Sequence, residues 1–264
     1  MITARCSCIC SAGITPLQYA QNYLPEQRVH FDIQPIGVIH SPYKQKFAIP
    51  RQPRLVPEAR AKLVFCDAFN REEFVRGIEE FSHLWLLFRF HETADKGYSA
   101  LVRPPRLGGN ERKGVFATRA TFRPNGIGMS AVKLEGVEYK NGQLALLLSG
   151  IDLLDGTPIV DIKPYLPYSD ALSDAAAGFA DTRPQTAMTV AFSEQAEAFI
   201  NAQHTYPELK AFITNVLKQD PRPAYKKKQA STQSYGMNLY DFNIRWQVDG
   251  EHNYVLEVAH IRAD

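Results

Sequence analysis

The chain has 264 residues, 45% of them hydrophobic and 22% charged, with a formal net charge of +2. That composition is ordinary for a globular protein with a sizeable core in one large domain or two modest ones. It offers no apolar run near the roughly 18 residues of a membrane span, and its weak global field leaves any nucleic acid to be met by a local basic patch.

There are four cysteines, and three of them, Cys6, Cys8 and Cys10, fall in the first ten residues. The body of the chain has only Cys66, which reads as a small buried hydrophobe. No disulfide framework is suggested, and a reducing, cytoplasmic compartment is expected. The C-S-C-I-C spacing is not that of a zinc pair, so no metal site is expected. Residues 1–30 have no helical or strand period and read as a mobile extension. Val29 matches a GUG start, so the first 28 residues are expected to be an upstream start-site extension. Finding Met1 or Ile2 at the native N-terminus would exclude that.

Taken in order, Ile33 to Ile39 (IQPIGVI) predicts a first strand, ended by the turn residues His40 to Tyr43. Lys44 to Pro53 is a proline-bounded polar loop, and Ala61 to Cys66 (AKLVFC) a short strand. Asn70 to Gly77 (NREEFVRG), with an Asn cap and a Gly stop, predicts a short helix. Leu84 to His91 (LWLLFRFH) is apolar on both faces for most of its length and predicts a central strand.

Val102 to Ser130 is the most unusual stretch. It sets Arg103, Arg106, Arg112, Lys113, Arg119 and Arg123 against one acid, Glu111, among five glycines and three prolines. A helix does not tolerate that glycine and proline content. The segment reads as rigid turns that present cations and bare backbone to a phosphate or carboxylate. Val115 to Ala120 within it is expected to be a strand. Met129 to Tyr139 and Gln143 to Ile151 flank Asn141-Gly142, a strong hairpin signal, with Leu144, Leu146 and Leu148 on one face. Thr157 to Ile162 is a last core strand. Many short strands with almost no helix predict a barrel or sandwich and argue against a doubly wound nucleotide-binding fold.

Ser169 to Arg183 reads as a linker to a second domain. Glu194 to His204 and Pro207 to Leu217 are helical by period, with Phe199, Leu209, Phe212, Ile213 and Val216 as the buried set. Leu239 to Val248 (LYDFNIRWQV) alternates, with Tyr240, Phe242, Ile244, Trp246 and Val248 on one face. Asp249-Gly250 turns it into Tyr254 to Ile261. The expected organisation is thus mainly β. A non-Rossmann β-barrel (31–168) is joined by a linker (169–185) to a small α+β C-terminal domain (186–264).

No G-x-S-x-G, P-loop or H-E-x-x-H is present. IGVIHSPY (Ile36 to Tyr43), PRQP (Pro50 to Pro53), FSHLWLLFRFH (Phe81 to His91), VRPPRLGG (Val102 to Gly109), GVFATRATFRPNGIGMS (Gly114 to Ser130) and DGTPIVDIKPYLPY (Asp155 to Tyr168) follow in one order. The series resembles the TsaA-like (TrmO) family of tRNA methyltransferases. DPRPAY (Asp220 to Tyr225) and DFNIRW (Asp241 to Trp246) resemble its bacterial two-domain form. The resemblance spans residue 31 to about residue 260. It implies dependence on S-adenosyl-L-methionine and methylation of N6 of threonylcarbamoyladenosine, the tRNA base just 3′ of the anticodon. It also implies a donor held on an unusual β-barrel and a homodimer whose sites draw on both subunits.

Beside that resemblance, the residues suggest roles of their own. Pro50, Arg51 and Gln52 form a rigid polar loop suited to a ligand. Arg119 fits the donor's carboxylate or a tRNA phosphate. Asp152, Asp155, Gly156, Thr157 and Pro158 form a tight turn that offers backbone to adenine and a carboxylate to the donor's amine, although Asp-Gly favours a plain β-turn as well. Met129 completes the expected donor-site set. His91 and Glu92, ending an apolar strand, are candidates both for donor contact and for accepting the N6 proton. For a single-stranded anticodon loop, Arg103, Arg106 and Arg123 are candidates on the barrel. Arg222, Tyr225, Lys226, Lys227 and Lys228 are candidates on the second domain, with Arg222 set against the threonyl carboxylate. Two other readings stay open: a small-molecule methyltransferase on the same barrel, and a non-catalytic RNA-binding module. Donor binding separates the module from the enzymes, and dependence on threonylcarbamoyl-modified tRNA separates the two enzymes.

Overall fold

The structure is a computed structural model that describes residues 32–108, 110–183, 187–222 and 231–261. The N-terminal extension, Tyr225 and Lys226 to Lys228 therefore lie outside the described residues. Residues 35–264 form one compact unit. β1 (Gly37–His40) pairs antiparallel with β2 (Arg60–Phe65), Gly37 opposite Phe65 and His40 opposite Lys62. Three single 3-10 turns lead to β3 (His83–Arg89). A two-residue ribbon, β4 (Leu101–Val102) with β5 (Lys113–Gly114), interrupts the basic segment. β6 (Ile127–Lys140) and β7 (Gln143–Ser149) form the long hairpin. Asn141 (φ 53°) and Gly142 (φ 76°) both take the left-handed backbone that a two-residue hairpin turn requires. β8 (Pro158–Pro164) pairs with both β3 and β1 and closes a six-stranded antiparallel barrel in the order β1-β2-β7-β6-β3-β8.

Period-two alternation fills the barrel. Ile39, Leu63, Leu84, Leu86, Val132, Leu144, Leu146, Leu148 and Ile159 are fully buried. Each contributes roughly 1.5–3 kcal/mol of transfer free energy. Gly37 lets β1 lie against β2 closely: a Cβ there would sit 2.6 Å from the Val64 carbonyl oxygen and 2.8 Å from the Leu63 side chain. Because the first obstacle is backbone, Gly37→Ala should cost about 1–3 kcal/mol. A urea midpoint that matches wild type would contradict this packing.

After the one-turn helix α1 (Pro167–Asp170), the C-terminal domain runs β9 (Thr189–Phe192), α2 (Glu194–Ala202), α3 (Leu209–Lys218), β10 (Gln233–Leu239), β11 (Phe242–Asp249) and β12 (His252–His260). The sheet order is β10-β11-β12-β9, with β9 parallel to β12. Ser193 caps α2 by accepting the Ala196 N–H at 3.1 Å. Leu209, Phe212, Ile213 and Val216 of α3 are buried as the period predicts, while Phe199 is partly buried against the same core.

The domain packs on the loop that follows β1. Phe212 lies between the rings of Tyr43 (5.9 Å) and Tyr240 (5.1 Å), and Tyr206 stacks on Tyr240 at 4.0 Å. Tyr240 donates its N–H to the Pro42 carbonyl and accepts the Arg60 N–H on its hydroxyl, each at 2.9 Å. Arg60 also pairs with Glu208 and Glu135 at 2.6 Å. These charges are solvent-exposed enough that each pair is worth at most about 1 kcal/mol. The rings therefore carry most of the adhesion across this seam.

Four expectations need correction. Asn70 to Gly77 is not an α-helix; it holds one 3-10 turn, Glu72–Val75. The Asn70 amide does not cap; it accepts the Leu144 N–H at 2.7 Å and donates to the Gly142 carbonyl at 2.8 Å, which ties it to the hairpin. Val115 to Ala120 is not a strand: Val115–Ala117 forms a 3-10 turn around the buried Val115. The first strand starts at Gly37 rather than Ile33. Leu239 to Val248 is broken by a turn at Tyr240 (φ 51°), so Tyr240 is buried at the seam instead of on the strand face. Four strands were missed: the two-residue β4 and β5, the four-residue β9 and the polar edge strand β10, whose sequence QSYGMNL has little β character.

Candidate active site

The barrel register places three long loops at one end. β1 leaves at His40 and β2 enters at Arg60, which pairs with Ser149 at the end of β7. β3 leaves at Arg89 opposite Ile127, where β6 enters. β8 enters at Pro158 opposite Val38. Residues 41–59, 90–126 and 150–157 therefore share a rim, although about 100 residues separate the first from the last.

Side chains join these loops. Arg119 Nη1 donates to Gln52 Oε1 at 2.6 Å. Ser130 Oγ donates to Asp152 Oδ1 at 2.6 Å, and Asp152 feels the positive charge of Arg119. Burial pushes the Asp152 carboxyl up to about 6, against the lowering effects of the Ser130 hydrogen bond, its own backbone N–H and Arg119. The result is a guanidinium anchored by one neutral amide beside a carboxylate held in a poorly solvated place.

The rest of the 152–158 turn serves the loop itself. Asp155 accepts the Ser41 N–H and the Lys44 ammonium, each at 2.8 Å, so its carboxylate stitches the turn to the strand exit. Thr157 is buried and donates to the Leu154 carbonyl at 2.7 Å. Gly156 takes φ +79° and donates its N–H to the Ile39 carbonyl. Pro158 opens β8. Pro50 is buried, Arg51 exposed and Gln52 half-buried. Met129 pairs with Leu87 and is 51% exposed on the wall opposite to Ser130. Ser130 was missed in the sequence, yet it could have been found: it falls at the inward-facing position of β6, two before Val132, where a polar residue needs a partner.

His91 and Glu92 begin a 3-10 turn directly after β3, with His91 Nε2 4.0 Å from Glu92 Oε1. The basic segment divides by task. Arg123 Nη1 reaches the carbonyls of Thr118 (3.1 Å) and Ala120 (3.4 Å), which folds the loop that carries Arg119. Arg106 is tied to Thr182, with its guanidinium on both the carbonyl and the hydroxyl. Arg222 pairs with Asp220 at 2.7 Å, and its side chain is only 10% exposed. Arg106, Arg123 and Arg222 each hold contacts within the fold, and Arg106 is at the same time exposed. Arg103 and Arg112 stay exposed.

Arg119 and Asp152 together suit a small zwitterion that carries both a carboxylate and an ammonium, which is the chemistry of the methionine end of S-adenosylmethionine. Among the described residues, no group of three or more His, Cys, Asp or Glu side chains is arranged to hold a metal ion. No helix among them is long and apolar enough to cross a membrane.

Comparison with known proteins gives the family of the chain. Residues 38–171 match the model of the tRNA-methyltransferase O N-terminal domain, and residues 185–261 match that of the TrmO C-terminal domain. The chain is 52% identical over 219 residues to the tRNA (adenine(37)-N6)-methyltransferase of Escherichia coli K12, covering 83% of this chain and 93% of that one. It is 42% identical over 150 residues to the human tRNA (adenine(37)-N6)-methyltransferase, covering 56% of this chain and 33% of that one. The crystal structure of TrmO from Pseudomonas aeruginosa superposes with a TM-score of 0.70 at 41% identity, over 88% of this chain and 99% of that one. The chain belongs to the TrmO family of S-adenosylmethionine-dependent tRNA methyltransferases.

Proposed function

We propose that this protein methylates N6 of adenine 37 in tRNA, acting on the threonylcarbamoyl-modified base, with S-adenosyl-L-methionine as donor. The observation that carries the reading is the Arg119–Gln52 and Asp152–Ser130 pairing at the loop end of the barrel. Arg119 holds the donor's carboxylate, Asp152 its ammonium, and Gln52 and Ser130 fix the two charged groups in place. The donor, when bound, supplies an electrophilic methyl on a sulfonium. The chain's work is then to hold N6 in line with that methyl, and such positioning can supply about 7–11 kcal/mol of a barrier. N6 loses a proton as it gains the methyl, and we assign its acceptance to His91, with Glu92 beside it.

We assign donor binding to residues 31–168, joined through 169–185 to an RNA-holding domain of residues 186–264. Arg103, Arg106, Arg123 and Arg222, with Tyr225 and Lys226 to Lys228, would meet the anticodon loop through phosphate contacts and stacking. A homodimer is part of the same reading. Tyr98, Leu101, Phe116 and Met129 expose apolar surface along one segment, of the kind a second copy covers. With tRNA as its substrate, we place the protein in the cytoplasm.

Methyl transfer from labelled donor to tRNA, with and without the threonylcarbamoyl group, tests the reading. Label on modified tRNA alone is expected. Label on neither, with donor bound, would reassign the acceptor, and absence of donor binding would leave an RNA-binding module. Donor affinity should also depend on pH. Asp152 must be ionised to pair with an ammonium, so affinity is full above its pKa and is lost as pH falls through about 6. A roughly tenfold loss by pH 5 follows from a one-proton titration. A flat titration between pH 5 and 8 would remove Asp152 from the donor's ammonium.

A further inference from the structure

Residues 44–52 form a turn that is stapled to the rim loops at both ends. The Lys44 ammonium pairs with Asp155 at 2.8 Å, and Gln52 Oε1 accepts Arg119 Nη1 at 2.6 Å. Just beyond, the Arg54 N–H donates to the Gly150 carbonyl at 2.9 Å. Between the staples the chain turns at residues 46–48, where the Ala48 N–H reaches the Gln45 carbonyl at 3.2 Å. Ser41, Pro42 and Tyr43 before the turn, and Ala48 and Pro50 after its tip, are buried. Phe47, at the tip, is instead 55% exposed.

A single exposed phenylalanine is ordinary on a protein surface. Two further observations give this one a use. The Lys46 ammonium lies over the Phe47 ring, 5.4 Å from its centroid, and has no carboxylate partner among the described residues. Residues 41–59 carry Lys44, Lys46, Arg51 and Arg54 against one acid, Glu58, whose two oxygens accept from Asn215 Nδ2 at 2.9 Å. The turn therefore offers a ring and an ammonium on adjacent residues, in positive surroundings, on the rim that holds Arg119 and Asp152. A fixed ring beside a cation is what single-stranded nucleic acid takes: a base stacks on the one and a phosphate meets the other. A protein partner is disfavoured, because the three residues before Phe47 are Lys44, Gln45 and Lys46, all polar and exposed.

We propose that Phe47 and Lys46 are tRNA-contacting residues at this rim: a base of the single-stranded anticodon loop stacks on the open face of Phe47, and Lys46 takes a phosphate of the same strand. The staples to Asp155 and Arg119 hold this platform fixed against the donor site, so the stacked base sets how adenine N6 approaches the methyl. This rests on the reading of the chain as a methyltransferase of the anticodon loop.

The test measures binding of tRNA and of S-adenosylmethionine to wild type, Phe47→Ala, Phe47→Tyr and Lys46→Ala, with melting temperature and oligomeric state followed alongside. Phe47→Ala should bind tRNA roughly 5- to 150-fold more weakly, the usual effect of removing one stacking ring, at unchanged donor affinity. Phe47→Tyr keeps the ring and should bind as wild type does. Lys46→Ala should flatten the slope of log affinity against log salt by about 0.7, the share of one phosphate on a single strand. Equal tRNA affinity of Phe47→Ala and wild type overturns the proposal, as does a loss that Phe47→Tyr does not restore. A joint fall in donor affinity and melting temperature would mark the ring as a structural prop, and a changed oligomeric state would place a second copy on it; either result overturns the proposal too. Methyl transfer is scored separately. Wild type that binds tRNA and leaves it unmethylated would end the acceptor reading, while the ratio of Phe47→Ala to wild-type binding still decides the platform.

Discussion

Arg119→Ala will weaken S-adenosylmethionine binding by roughly 12- to 150-fold, an effect of about 1.5–3 kcal/mol for a lost charge-assisted pair. The guanidinium is held by Gln52 at 2.6 Å, and Arg123 fixes the backbone that presents it. Little ordering is left to be done when a carboxylate arrives, so most of the pair's energy is available as affinity. Lysine should recover only part of it, because an ammonium lacks the flat two-pronged donor set. Gln52→Ala should cost less, a few-fold, since it loosens the guanidinium without removing its charge. An Arg119→Ala protein with wild-type donor affinity would place the donor's carboxylate elsewhere, whatever happened to turnover.

Phe212→Ala will destabilise the protein by about 3–5 kcal/mol, the usual cost of emptying a buried aromatic site. Phe212 is 1% exposed and contacts both Tyr43 and Tyr240. The cavity would open beside Tyr43 and Tyr240, where the two domains meet. By contrast Arg60→Ala, which deletes the pairs to Glu208 and Glu135, should cost at most about 1 kcal/mol per pair. Urea unfolding of the two variants decides whether rings or charges hold the seam. Equal losses would overturn the ranking. If Phe212→Ala unfolds during expression, Phe212→Leu should show the same order with a smaller gap.

Much of the fold was legible because its signals are local. The Asn141-Gly142 turn and the alternation of Leu144, Leu146 and Leu148 mark a hairpin without any knowledge of the partner strands. The failures came where a residue's partner is far along the chain. Asn70 has the form of a helix cap, and only the barrel brings it to the Leu144 N–H, 74 residues away. Tyr240 fits an alternating pattern, but the pull of the seam turns the chain there. The basic segment shows the same limit. Its charge was plain, yet nothing local says that Arg123 would end on the Thr118 carbonyl or Arg106 on Thr182. Charge counting therefore shows the cations but not the carbonyls to which they are tied. Arg119 and Gln52 could each be singled out as polar residues in rigid loops. Their contact, and that of Ser130 with Asp152, depends on a barrel register that three separate loops must share.

The most direct test of the account is a crystal structure of the protein with S-adenosylmethionine or S-adenosylhomocysteine bound. The account predicts the amino-acid end of the molecule between the 41–59, 90–126 and 150–157 loops, with its carboxylate on Arg119 and its ammonium on Asp152. Density for the ligand at the opposite end of the barrel, or in this rim with both charged groups turned away from Arg119 and Asp152, would contradict it.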